Sequence, residues 1–316
     1  MKKVVVLGGG TGMSNLLRGL KQYPLDITAI VTVCDDGKST GILREEFSIP
    51  AVGDIRRVLV ALSETEPLVM DLFNYRFSTT SDLDGHTVGN LLLTAAAEVS
   101  GNLSDGIEAL SKVLNLKGKV VPLTEDNVTL VADMEDGTTI VGEHNITGHK
   151  GKIRKVYYKE PAIPTKEALK AIKDADLIIL SMGSLFTSII PNLLIDDVVK
   201  EIEKSPAKIM YVCNMMTQPG ETDGFKVTDH IQKLNGYLGK RHVDVVLANT
   251  GKIDDEMAKV YETAEQKDAV KFDKENFKKY ELEAIGDDLT YITDNHLLRH
   301  DNIKLGFHIF YYLMKK

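Results

Sequence analysis

A chain of 316 residues that is 43% apolar and 27% charged can bury a large core, which excludes a disordered or fibrous protein. Its 38 Lys and Arg against 46 Asp and Glu leave a formal charge of −8, which disfavours a general nucleic-acid binder or a binder of anionic membranes. Cys34 and Cys213 sit in apolar runs without metal-ligand spacing, as expected of buried, reduced thiols in a cytoplasmic protein.

The first element, "KVVVL", is a continuous apolar run of the kind buried on both faces of a parallel sheet. Glycines cut it off too early for a signal-peptide core, and after "GGGTG" the helix "MSNLLRGLKQY" follows. The next strand, "ITAIVTV", runs into "CDDGKSTG", whose last letters imitate the tail of a P-loop. The glycine that a P-loop needs upstream is Thr32 here, so that reading fails. Helical spacing then marks "DIRRVLVALS", "EPLVMDLFNYRF", "TVGNLLLTAAAEVS" and "SDGIEALSKVLN". Alternation replaces it in "NVTLVADMEDGTTIVGEHNI", two runs around Asp136-Gly137, a hairpin signal, with "KIRKVYY" as a third strand. This predicts an antiparallel β insert over residues 120–159 of one domain spanning residues 1–316.

The α/β rhythm returns with the helix "KEALKAIKDA", the strand "DLIILS", the helix "DDVVKEIEKS", the strand "KIMYVCN", the helix "TDHIQKLNG" and the strand "VDVVLAN". Leu177 to Ile195 carries no charge, but Gly183, Pro191, Asn192 and several hydroxyls read as strand, loop and helix start, not as a membrane span. The charged segment "AEQKDAVKFDKENFKKYELEA" reads as solvated surface, and "DNIKLGFHIFYYLMKK" as a closing helix. The sum is an α/β fold whose mainly parallel sheet lies between helices.

Three strand ends run into unusual loops: Gly8 to Gly12, Met182 to Ser188, and Cys213 to Thr222. In an open parallel sheet such loops face one crevice, where short side chains and helix N-termini suit phosphate. The first loop fails as a dinucleotide fingerprint in both registers, because Met13 or Asn15 stands at the third glycine, and NAD is disfavoured. Asp35 and Asp36 could hold Mg²⁺ beside a diphosphate, accept hydrogen bonds from a sugar or base, or serve only as caps. Asp54 and Arg56 open a helix, His86 and Asn90 share a helix face, and Arg299 offers a phosphate or sugar clamp. The other histidines show no metal spacing.

Taken together, "VVVLGGGTGMSNLLRGLK", "AIVTVCDDGKSTGILREE", "GDIRRVLVAL", "GHTVGNLLL", "MGSLFTSIIPNLL", "CNMMTQPGETDGF" and "RHDNIKL" resemble the gluconeogenesis factors, the YvcK-like branch of the CofD-like family. The resemblance implies a Rossmann-like three-layer sandwich in a cytoplasmic protein. It implies binding of UDP-sugars, UDP-N-acetylglucosamine and UDP-glucose, and a regulatory role in growth and cell shape on gluconeogenic carbon sources. A homodimer is the assembly it suggests, with no further cofactor required. The other branch resembles Mg²⁺-dependent 2-phospho-L-lactate transferases that use a nucleotide diphosphate-linked donor. Carried onto this sequence, the ligand-contact set is Gly9, Gly10, Thr11, Gly12, Asp35, Asp36, Lys38, Ser39, Asp54, Asn90, Gly183, Ser184, Asn214, Thr217, Gln218 and Arg299, with Asp35 and Asp36 as the candidate metal ligands. Two loops depart from the family: Lys38 and Thr40 replace a glycine and a serine, and Met182 stands in a loop that usually reads Gly-Pro-Gly-Ser.

Overall fold

The structure is a computed structural model, and it describes residues 1–254, 257–258, 261–263, 267–294 and 296–315. Residues 264–266, the start of the charged segment, lie outside the described residues.

Seven strands form one sheet: β1 (Lys2–Gly8), β2 (Leu25–Val31), β3 (Lys119–Pro122), β7 (Leu177–Leu180), β8 (Lys208–Val212), β9 (Val245–Asn249) and β10 (Glu283–Asp287). Their spatial order is β10-β9-β8-β7-β1-β2-β3, and every neighbouring pair is parallel. The apolar runs are buried from end to end in the central strands, since Val4 to Leu7 and Leu177 to Leu180 are 0–2% exposed. Burial on both faces removes any need for alternation. The chain builds outward from β1 in one direction through β2 and β3, then returns to build outward in the other from β7. The switch in strand order therefore falls between β1 and β7, and a crevice opens there at the carboxyl ends.

The helices are α1 (Gly10–Leu20), α2 (Lys38–Phe47), α3 (Gly53–Leu62), α4 (Pro67–Asn74), α5 (Val88–Ser100), α6 (Leu103–Val113), α7 (Glu143–Gly148), α8 (Lys166–Asp174), α9 (Asp196–Lys204), α10 (Val227–Asn235) and α11 (Asn302–Lys315). Helix α1 begins three residues earlier than its apolar spacing indicates, so Gly10 to Gly12 form its first turn. Helix α2 carries no strong apolar stripe, and the Asp-Asp-Gly-Lys-Ser-Thr stretch read as a loop is partly its N-terminus. Among the described residues no helix is long and apolar enough to cross a membrane.

The insert is a separate antiparallel sheet in the order β5-β4-β6, made of β4 (Leu130–Met134), β5 (Thr139–Val141) and β6 (Ile153–Tyr158). Gly137, at φ +88°, turns its hairpin, a backbone conformation that glycine adopts without steric cost. Its boundary is later than residue 120: residues 119–122 pair parallel with β2, because "KVVP" follows a helix and can join the main sheet edge. Residues 143–148, read as part of a strand, wind into α7, with Asp36 accepting the His144 amide at 2.7 Å. Tyr158 Oη donates to the Pro191 carbonyl (2.9 Å), and the Val156 amide donates to Tyr237 Oη (3.1 Å). Those two bonds seat the insert on the main body, with α7 over the crevice.

The charged C-terminal segment is more than solvated surface. Phe277 within it is buried and its last two residues open β10, after which come the hairpin strands β11 (Thr290–Ile292) and β12 (Leu298–His300).

Candidate functional site

The loops after β1 and β7 meet backbone to backbone at the switch point. A methyl on Gly12 would overlap the Met182 carbonyl oxygen and lie 2.7 Å from its carbon, so the approach requires glycine. Gly183 holds φ +150°, the second position where glycine is needed. Asn214, from the loop after β8, fixes this corner from behind. Its Oδ1 accepts the Gly183 amide (2.9 Å) and its Nδ2 donates to the Gly183 carbonyl (2.7 Å).

Thr11, Gly12, Gly183 and Ser184 form a waist shared by two cavities. The first, about 360 Å³, extends toward α3 and the insert and adds Gly9, Gly10, Thr32, Asp35, Asp54, Arg57, Glu143, Thr187 and Ser188. The second, about 330 Å³, extends toward β12. Its apolar wall is Met215, Tyr261 and Leu298, and its polar wall includes Asn214, Thr217, Gln218, Arg299 and His300. A third cavity of about 550 Å³ adjoins it through Thr11, Arg299 and His300 and adds Arg18 and Tyr291.

The first cavity is acidic. Asp54 is buried against the glycine turn, where a methyl on Gly9 would meet its Oδ2 at 2.5 Å. Burial pushes its carboxyl up, while the Arg57 guanidinium, 2.5 Å from Oδ1, pulls it down. Asp35 accepts the Gly37 amide (2.9 Å) and the Thr40 hydroxyl (3.1 Å). Glu143, delivered by α7, is pushed up to about 7 by burial first and then by the nearby Asp35 charge. On the other side, burial lowers His300 to about 4, so it is neutral and donates from Nε2 to the Cys213 carbonyl (3.0 Å).

Twelve of the sixteen sequence-derived contact residues line the first two cavities: Gly9, Gly10, Thr11, Gly12, Asp35, Asp54, Gly183, Ser184, Asn214, Thr217, Gln218 and Arg299. Asp36, Lys38, Ser39 and Asn90 line neither. Asp36 turns away from Asp35 to cap α7, so the two carboxylates do not converge and do not fit as a pair of Mg²⁺ ligands. Among the described residues no group of three His, Cys, Asp or Glu side chains could hold a metal. Lys38 is exposed on the first turn of α2. Ser39 and Asn90 are buried in a polar network. Ser39 Oγ meets His86 Nδ1 (3.1 Å), Asn90 Nδ2 donates to Ser39 Oγ (3.2 Å), and Arg56 Nε donates to Asn90 Oδ1 (3.1 Å). That network locks α2, α3 and α5 together behind the crevice. Thr217 is in the wall, but its hydroxyl accepts the Asp268 amide (2.8 Å) and ties down its own loop.

Sequence reasoning missed Arg57 and Glu143 of the first cavity and Arg18 of the third. Arg57 had a signal: it lies one helical turn from Asp54, so the two share a face, whereas Arg56 points into the buried network. Glu143 had none, because its place depends on how the insert folds over the crevice.

The family model for 2-phospho-L-lactate transferase CofD matches residues 4–290. A Bacillus subtilis (strain 168) protein named gluconeogenesis factor is 48% identical over 306 residues, 96% of each chain. A Listeria monocytogenes protein of the same name is 42% identical over 299 residues, covering 94% of this chain and 91% of its own. The crystal structure of a Bacillus halodurans protein, described as a member of the upf0052 family, superposes with a TM-score of 0.94 at 44% identity, over 98% of this chain and 99% of that one. With the glycine loops of β1 and β7 brought together at the switch point, these similarities agree: the chain belongs to the CofD family, on the branch of the proteins named gluconeogenesis factor.

Proposed function

We propose that the protein binds a UDP-sugar, UDP-N-acetylglucosamine or UDP-glucose, and acts as a regulator of growth and cell shape on gluconeogenic carbon sources. The observation that carries the binding reading is the waist itself. Thr11 and Gly12, in the first turn of α1, and Gly183 and Ser184, in the loop after β7, line the place where two unlike cavities meet. A nucleoside diphosphate sugar has the same three-part order. The sugar goes to the acidic side, because Asp35, Asp54 and Glu143 accept hydrogen bonds from hydroxyls and would repel phosphate. The uridine goes to the second cavity, against Met215, Tyr261 and Leu298, with Arg299 at the rim.

Calorimetric titration with UDP-N-acetylglucosamine, UDP-glucose, UDP, GDP and NAD, each with and without Mg²⁺, tests this. The UDP-sugars should bind more tightly than UDP, and NAD should not bind. Equal affinity for UDP and UDP-N-acetylglucosamine would remove the sugar from the acidic cavity, and no binding of either would remove the reading. The description of the matched family model favours a second reading, transfer of a phosphate-linked group from a nucleotide diphosphate-linked donor. Release of nucleoside monophosphate from such a donor would favour it over the regulator.

A further inference from the structure

The hydroxyl hydrogen of Ser184 is directed into the protein, not toward the waist. Ser184 Oγ donates to Gln218 Oε1 (2.7 Å), and Gln218 Nε2 donates to Glu221 Oε1 (2.7 Å). Glu221 Oε2 accepts the Phe186 amide (3.1 Å). Glu221 is only 5% exposed, and none of its hydrogen-bond partners is a cation. An ionised carboxylate only accepts hydrogen bonds. It therefore holds Gln218 with its NH₂ inward and its carbonyl outward, and that carbonyl takes the Ser184 hydrogen. What Ser184 then presents to the waist is lone pairs, the wrong polarity for a diphosphate.

We propose that Glu221 is a positioning residue that sets the hydrogen-bond polarity of Ser184, so that binding a diphosphate at the waist takes up one proton. This rests on the UDP-sugar reading of the same site. The proton comes from solvent and settles on a Glu221 oxygen, from which it donates to Gln218 Oε1 after the amide turns over. Gln218 Nε2 then donates to Ser184 Oγ, and the Ser184 hydrogen is released to a phosphate oxygen. No covalent bond other than the O–H on Glu221 forms.

The surroundings keep that proton within reach at neutral pH. Burial is the largest influence and pushes Glu221 up to about 7, and Glu143 of α7 adds a repelling charge. The Phe186 amide and the Ser184 hydroxyl hold it down. Lys233 of α10 reaches the Phe186 ring at 5.9 Å. The diphosphate of a UDP-sugar is esterified at both ends and carries no group that titrates near neutral pH, so any proton uptake reports the protein. Glu143 is also pushed up to about 7 and lies in the first cavity, and the test must separate the two acids.

Titrating UDP-N-acetylglucosamine from pH 6 to 8.5, in buffers of different ionisation enthalpy, measures the uptake directly. The wild type should take up about one proton at the alkaline end, with affinity falling toward about tenfold per pH unit there. Glu221→Gln should flatten the profile. Ser184→Ala, which leaves Glu221 in place and removes the group it controls, should bind more weakly and also lose the slope. Glu143→Gln should keep it. A slope that survives in Glu221→Gln or Ser184→Ala, or a wild type with no uptake, overturns the proposal. If the wild type binds no UDP-sugar at any pH, the functional reading fails, and carbon NMR of labelled glutamate carboxyls decides the rest without ligand. A resonance lost in Glu221→Gln that titrates near neutral pH, together with an Nε2 resonance of Gln218 that shifts with the same midpoint, supports the relay. A Glu221 midpoint in the ordinary carboxylate range overturns it.

Discussion

Gly12→Ala tests the corner on which the cleft depends. The added methyl would overlap the Met182 carbonyl oxygen and stand 2.7 Å from its carbon and 3.2 Å from the Gly183 nitrogen. These are backbone atoms. They cannot rotate aside, and Asn214 pins the Gly183 peptide from behind at 2.9 and 2.7 Å. Either α1 or the loop after β7 must move, and overpacking of this kind costs about 1–3 kcal/mol. With an unfolding entropy of ~2.1 cal/mol/K per residue, a chain of this length should lose about 2–5 °C in Tm. Binding should suffer more than stability. A single lost hydrogen bond to a charged diphosphate, worth ~1.5–3 kcal/mol, weakens a UDP-sugar by about tenfold to a hundredfold. Gly148→Ala at the end of α7 is the control, because a methyl there meets open space, and it should leave both Tm and affinity in place. Scanning calorimetry and ligand titration on the two variants decide the matter. A Gly12→Ala protein with wild-type Tm and wild-type affinity would show that the two loops do not abut as described.

Three further outcomes follow from the same geometry. Asn214→Ala strips both partners from the Gly183 peptide and should cost about 1–3 kcal/mol by denaturant unfolding, with weaker UDP-sugar binding. Arg18→Ala and Arg299→Ala should each weaken UDP-sugar binding a few-fold, with the difference shrinking at high salt, since both guanidiniums line the third cavity and are exposed. Glu143 and Glu221 should each draw stability from the fold as pH rises from about 4.5 to 7, opposed by His300, which the native state keeps neutral down to about 4 and which therefore adds stability as pH rises toward 6.5. Glu143 and Glu221 are both raised from 4.5 to about 7, so the native state holds protons that the unfolded chain has released. At ~1.4 kcal/mol per pH unit the cost reaches about 3 kcal/mol for the fully buried Glu221 above pH 7 and is absent below 4.5, and Glu221→Gln should remove that share in urea titrations.

Apolar runs made the main sheet legible, because a strand buried on both faces writes its whole length in Val, Ile and Leu. The edge strand β10, "EAIGD", is half exposed and leaves no such run, so nothing in its sequence marks it as a strand. Helix α2 escaped for a related reason: Ser39, Thr40 and Arg44 are its buried residues alongside Leu43, and their partners are polar. Arg44 reaches across to the Asp35 carbonyl (3.1 Å) and the Val128 carbonyl (2.7 Å), a tertiary contact that no local pattern encodes. The glycine loops were legible because their composition is set by a local demand, the backbone approach at Gly12 and the positive φ at Gly183. Asp36 and Asn90 show the converse. They carry the right chemistry in the right loops, yet cap α7 and tie α5 to its neighbours.

The charge pattern of the cleft suits the proposed diphosphate ligand even in a chain with a formal charge of −8. Asp35, Asp54 and Glu143 lie on one side of the waist, and Arg18 and Arg299 lie on the other. Arg57 pairs with Asp54 at 2.5 Å, which leaves less of its charge for a ligand. On the proposed reading, phosphate is discouraged from the acidic cavity and drawn to the waist at the first turn of α1, where the first guanidinium comes within reach. Glycine at the waist would let the backbone approach the proposed diphosphate, and backbone donors carry no net charge of their own. A site built this way would discriminate by order along the proposed ligand: a neutral sugar, then the diphosphate, then the base. A reversed ligand would push its anion against three carboxylates, and a free phosphate would gain only the middle of the three contacts.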